Sequence, residues 1–366
     1  LRTIYHRFYR FLPIKKVNAD SELFLLNEDE ITIIRRKERF AIWAAAFFGT
    51  MGVLFLYIPQ YAFPQLFPKY IIVFRGQSFA VPIVMMIYSF ILVMIEIMLL
   101  TFLNIWCAHE VAVATGFLTH ENKQSTHKRN LLVDIGLEKK NKQELKYGID
   151  PLQGINKTAL LTWNFFFILK ATLSNMLFKI LIQRMLGRYA FQAVKDFGGI
   201  PIFAAWNAYG TKVILKEARV VIMGQNLIEQ VVAKIRVDQE PTPEFKNLLY
   251  DTMQYIAINK RDFHQNHYVL TKMLFTVYRV EPKTVHLLEE GYLEKLQLAA
   301  EEEKKICMLL IVIGFLLDGS ISIREMLQMN ELRRLGLLDI DTENIKQYQK
   351  DFLNGRGIAG LINKYL

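Results

Sequence analysis

Few residues of this sequence combine the type and the spacing that chemistry needs. The sharpest is a lone carboxylate, Glu96, set inside FAVPIVMMIYSFILVMIEIMLLTFLNIWC, residues 79–107. A carboxylate at hydrocarbon depth must face protein or water, or carry a proton. A proton relay, an ion site, an ion pair with Lys170 and a plain inter-helix hydrogen bond all meet that requirement. Lys170 and Asn175 lie in a second apolar region and complete a candidate intramembrane polar site with Glu96.

The other candidates are weaker on their own chemistry. His109 and Glu110 could be metal ligands, but adjacent residues do not share a helix face. With His120 and His127 they are the local groups that a membrane-bound enzyme acting on lipid would use at headgroup level. His264 and His267 stand three apart, with Asp262 nearby, a spacing that can bring two ligands to one metal. No second pair accompanies them, so a solvated or capped pair is the expectation. DGSISIRE, from Asp318 to Glu325, has the look of a calcium loop but fails it: Ile323 and Met329 occupy the places of the required Gly and Glu. Phosphate-binding glycine loops, nucleophile elbows and zinc-hydrolase helices are missing from the sequence. The expectation is a protein that is not an enzyme and takes no metal or cofactor.

The elements that must position these residues are read from hydropathy and charge. The chain has 366 residues, 52% of them hydrophobic, yet 22% are charged. That mixture predicts apolar spans with polar domains attached. The net charge of +10 suits a nucleic-acid binder or a protein with cations on the cytoplasmic flank of its spans. The apolar runs favour the second, with anionic lipid headgroups and no nucleic acid as the partner. Two cysteines, Cys107 and Cys307, both in apolar stretches, exclude a disulfide framework and predict buried free thiols. No apolar core with a small-residue cleavage site follows the basic opening closely, so no cleavable signal peptide is expected there.

Residues 1–39 read as a basic amphipathic segment. Arg7, Arg10, Lys15 and Lys16 alternate with Tyr5, Phe8, Tyr9 and Phe11, a pattern for lying on a headgroup surface or for packing on the protein's own domain. A helix is expected over residues 20–34. Residues 40–107 form a transmembrane hairpin: a first span over 40–58 ended by Pro59, a Pro-rich loop, then the span over 79–107 with Trp106 as an interfacial anchor. Residues 108–158 are polar and basic. Comparing cations on the two sides puts both termini in the cytoplasm of a bacterial inner membrane and the Pro-rich loop outside. Residues 159–218 form an apolar hairpin, either transmembrane or re-entrant, since Lys170, Asn175, Lys179 and Arg184 interrupt it. Residues 219–366 read as a cytoplasmic helical domain. Thr242-Pro243 opens one helix, and Ile306 to Leu317, too short to span, is its core helix. No strand pattern of convincing length is apparent. The fold class is an all-α membrane protein.

Two stretches resemble known families. LLIVIGFLLDGSISIREMLQMNELRRLGL resembles the centre of TerB-like helical domains over about residues 300–355. Leu317, Asp318, Gly319, Ser320, Ser322 and Glu325 carry the likeness. Gly319 permits a turn there, and Ser322 with Glu325 has the spacing of a capping box. The family's second acidic motif is not seen, so the carboxylate metal cluster of some members is not implied. Ile200-Pro201 through Asn207, with Ala218 and Arg219, is similar to the short apolar hairpin and exit helix of EcsC-like membrane-associated proteins. These resemblances imply membrane association and protein–protein docking. The leading expectation is therefore a scaffold or accessory subunit that docks protein partners or forms a homo-oligomer. The alternative is a transporter or proton-conducting component using Glu96 and Lys170.

Overall fold

The computed structural model describes residues 2–12, 26, 28–74, 77–118, 128, 131–133, 135, 147–151, 153, 192–235 and 241–366. Lys15, Lys16, His120, His127, Lys170, Asn175, Lys179 and Arg184 lie outside them, and so does the first part of the apolar hairpin.

The described chain is helical apart from one short hairpin and the connecting turns. In order it runs α1 (Arg2–Phe11), α2 (Glu28–Ala62), β1 (Tyr70–Phe74), β2 (Gln77–Val81), α3 (Ile83–Ala114) and α4 (Gln192–Lys234). There follow α5 (Pro243–Lys260), α6 (Gln265–Val277), α7 (Tyr292–Leu298), α8 (Glu301–Leu316), α9 (Ile323–Arg334), α10 (Thr342–Asn354) and α11 (Ala359–Tyr365).

Helices α2, α3 and α4 form an apolar three-helix layer. The α2–α3 pair is antiparallel, with Lys37 against Glu110 at one end and Tyr88 against Phe55 at the other. The α2–α4 pair is also antiparallel: Glu38 meets Arg219, Ala41 shares a cluster with Leu215 and Cys107, and Gly49 meets Phe203. From Leu215 back to Gln192, α4 extends about 35 Å; from Ala41 to Ala62, α2 extends about 32 Å. The first half of α4 thus runs beside α2 for its whole apolar length.

Helices α2 and α3 are both long and apolar enough to cross a membrane. Not one residue of the most apolar stretch of α3 is buried by the rest of the chain. Burial on α3 begins only at Asn104. The opposite holds for α8, where every residue from Cys307 to Leu316 is buried. A core helix of a water-soluble protein looks like α8, not like α3.

The C-terminal core is built around α8. It takes in the second half of α4 and helices α5 to α11. Thr242 caps α5 by accepting from the Phe245 backbone N–H at 3.1 Å, with Pro243 at the first helical position. Ser322 and Glu325 form the expected capping box on α9, and Gly319 turns at φ +70°.

Several expectations need correction. Tyr70–Phe74 and Gln77–Val81 pair as an antiparallel hairpin, so α3 starts at Ile83 rather than 79. Alternation in YIIVF is hidden because neither face is polar. Pro59 does not end the first helix, which continues to Ala62. The helix expected over 20–34 is, from Glu28 on, one piece with the first span. The boundary drawn at 218/219 falls inside α4, which is continuous from the apolar layer into the C-terminal core.

Candidate functional site

Two polar constellations stand out, one in the apolar layer and one in the C-terminal core. In the layer, Glu96 sits eleven residues from Cys107, or about 16 Å of helix beyond the Ala41–Cys107–Leu215 contact. That puts it near the middle of the apolar length of α3. The Asn207 side-chain amide donates to Glu96 Oε1 at 2.5 Å. Two glycines of α2 make this approach possible. A Cβ on Gly52 would stand 3.2 Å from Glu96 Oε2, and one on Gly49 would stand 2.8 Å from Asn207 Nδ2 and 2.6 Å from the Phe203 carbonyl oxygen. The second of those is a collision with backbone. Asn207 is 3% exposed, and its Oδ1 has no hydrogen-bond partner. Sequence reasoning singled out Glu96 but missed Asn207. The signal available was an asparagine within FAAWNAYG, an otherwise apolar run.

In the C-terminal core, the buried Lys260 ammonium donates to Asp318 Oδ1 at 2.7 Å, to the Ser320 carbonyl at 2.8 Å and to Glu325 Oε2 at 3.0 Å. Its side chain is 1% exposed. Burial alone would push the Asp318 carboxyl up; the charge and hydrogen bond of Lys260, with His267 and the Ser320 N–H, hold it below the usual range. The residues of the DGSISIRE stretch therefore close around an internal cation. The same Glu325 carboxylate accepts from the Ser322 N–H, so capping and charge pairing share one side chain.

The two histidines beside it are structural. His264 caps α6 and its Nε2 lies 2.8 Å from Glu217 of α4. His267 accepts from the His264 N–H on Nδ1 and lies 2.6 Å from the Gly314 carbonyl through Nε2. Burial pushes His267 down to about 4, against the raising effects of Asp318 and the Gly314 carbonyl. It is therefore neutral near pH 7, with its proton on Nε2. Asn266 donates to the carbonyls of Val220 and Leu317 at 2.9 and 2.8 Å, tying α4, α6 and α8 together. Burial pushes the Cys307 thiol up to about 12, which makes it an inert core group.

The remaining predicted residues are dispersed. His109 is buried with Nδ1 3.1 Å from the Tyr9 hydroxyl, and Glu110 pairs with Lys37 at 3.4 Å. Among the described residues, no group of three His, Cys, Asp or Glu could hold a metal ion. Trp106 lies under Lys37, 5.0 Å from the ring centre, and edge-on to Phe40. Arg7 is exposed on α1; Arg10 belongs to the same helix. Tyr5 and Phe8 of α1 pack on Phe102 and Tyr9 on His109, whereas Phe11 is 80% exposed.

Segments distant in sequence are tied to one another by hydrogen bonds and ion pairs. The Leu26 N–H donates to the Gly355 carbonyl at 2.9 Å, and Arg356 pairs with Glu28 at 2.6 Å. Gln254 holds both the N–H and the carbonyl of Asp150, at 3.0 and 2.7 Å. No protein family, curated protein or solved structure matches the chain.

Proposed function

We propose that this chain is a non-enzymatic membrane scaffold or accessory subunit whose C-terminal helical core docks a protein partner. The observation that carries the reading is α4, which is one unbroken helix from the apolar layer into that core. A continuous helix transmits position rigidly, as an anchored docking module requires. Membrane insertion is supported by the large apolar residues left exposed on all three helices of the layer, Phe47, Phe55, Ile87, Phe90, Ile202 and Val213 among them.

Cations support the orientation. Arg35, Arg36, Arg39, Lys212 and Lys216 are exposed where the layer meets the C-terminal core, at the level of Trp43 and Trp106. That is the arrangement of a cytoplasmic boundary facing anionic headgroups. The reading is of a bacterial inner membrane, with both chain ends on the cytoplasmic side and the β-hairpin outside. In this reading the first half of α4 is a third span. The TerB-like and EcsC-like resemblances are part of this proposal and rest on their motif residues.

Two measurements test it. Single cysteines at Lys69 and Lys350, in a Cys107→Ser/Cys307→Ser background, should react with membrane-impermeant maleimide from opposite sides of sealed vesicles; labelling from one side overturns the topology. Mild extraction followed by mass spectrometry should recover partners in fixed stoichiometry. Recovery of this chain alone as a homo-oligomer would favour the transport alternative.

A further inference from the structure

We infer that Glu96 and Asn207 form a proton-binding site, in which the protonated carboxyl and the amide close a ring of two hydrogen bonds. The argument is one of matching donors to acceptors. The Asn207 amide already donates to Glu96 Oε1 at 2.5 Å. Its own oxygen is buried without a donor. An orphaned buried acceptor costs about 1–3 kcal/mol. A carboxylate offers acceptors alone and cannot relieve it; a protonated carboxyl offers one O–H and one C=O, the complement of an amide. Adding one proton to Glu96 therefore supplies the donor that Asn207 Oδ1 lacks.

The surroundings suit a proton. Gly52 brings bare backbone to the carboxyl, and Gly49 does the same for Asn207. The Thr50 and Thr101 hydroxyls are engaged with the carbonyls of Ala46 and Ile97 on their own helices. A proton gained or lost here changes the bond that holds α4 to α3. The inference rests on the membrane reading above, so insertion is checked separately by resistance to alkaline carbonate.

The test uses the full chain in lipid nanodiscs. Infrared difference spectra of wild type minus Glu96→Gln at neutral pH should show a carboxylic-acid C=O band. That band should move on transfer to D2O and shift to higher frequency in Asn207→Leu, where its hydrogen bond is gone. A carbodiimide should modify Glu96, with the adduct lost entirely in Glu96→Gln. Carboxylate bands in place of the acid band overturn the site. So does an acid band that ignores D2O, or one that Asn207→Leu leaves unmoved. Carbonate-resistant protein that fails these tests sinks the proton site alone; extractable protein sinks the membrane reading.

Discussion

The Tyr88 hydroxyl donates to the Phe55 carbonyl at 2.7 Å, and Phe55 is the residue whose helical partner Pro59 has no N–H to give. A proline inside a helix frees the carbonyl four residues earlier, and in an apolar setting that carbonyl needs a donor. Here α3 provides it to α2, which explains how α2 passes Pro59 and reaches Ala62.

Tyr88→Phe should destabilise the layer by about 1 kcal/mol, the usual worth of one hydrogen bond. Pro59→Ala restores the N–H, so Tyr88→Phe should cost less in that background. Thermal unfolding of the four variants in nanodiscs measures the coupling; strict additivity would show that the hydroxyl does not replace the missing donor.

Gly49 and Gly210 should respond oppositely to alanine. A Cβ on Gly49 would meet the Phe203 carbonyl oxygen at 2.6 Å, whereas one on Gly210 meets nothing within 4 Å. Gly49→Ala should cost about 1–3 kcal/mol as α2 and α4 are forced apart. Gly210→Ala should be neutral or stabilise by up to about 1 kcal/mol through helix propensity. Equal melting temperatures for the two variants would refute the close α2–α4 approach.

Removing Lys260 should expose how much the DGSISIRE turn depends on an internal cation. Lys260→Met leaves Asp318 and Glu325 facing each other without it, at a cost of about 3–5 kcal/mol. Adding Asp318→Asn and Glu325→Gln should recover much of that loss. Denaturant unfolding distinguishes the two; a triple variant no more stable than Lys260→Met would count against the pairing.

His267 gives the C-terminal core an acid sensitivity whose sign follows from its burial. An unfolded histidine titrates near 6.5, and the folded one is pushed down to about 4. The folded state thus disfavours the proton. Its contribution is full above about pH 6.5 and is lost as pH falls toward 4, on the order of 3 kcal/mol in all. Asp318, also held low, adds a further loss below about pH 4. Stability measured against pH should fall across that first window, and His267→Gln, though less stable at neutral pH, should show a flatter slope there. An unchanged slope would contradict the assignment.

What the sequence determined by itself was the inventory. Continuous apolar length marked α2 and α3, because a helix rises only 1.5 Å per residue and few water-soluble helices need so many apolar residues in a row. Local chemistry marked the ends: Thr242-Pro243, Ser322 with Glu325, and Gly319 act within a few residues of themselves, so their roles are legible without neighbours. The dozen residues from Ile306 were legible as a core helix for the same reason of length. Tertiary structure decided everything that depends on which helix lies beside which. Pro59 reads as a stop until Tyr88 arrives from another helix. Glu96 was visible, but Asn207, 111 positions away, became its partner only when Gly49 and Gly52 let α4 close on α2 and α3. Lys260, one lysine among many in a basic chain, became the centre of the Asp318–Glu325 turn only by burial. Composition is local, whereas pairing requires the chain to have chosen its neighbours.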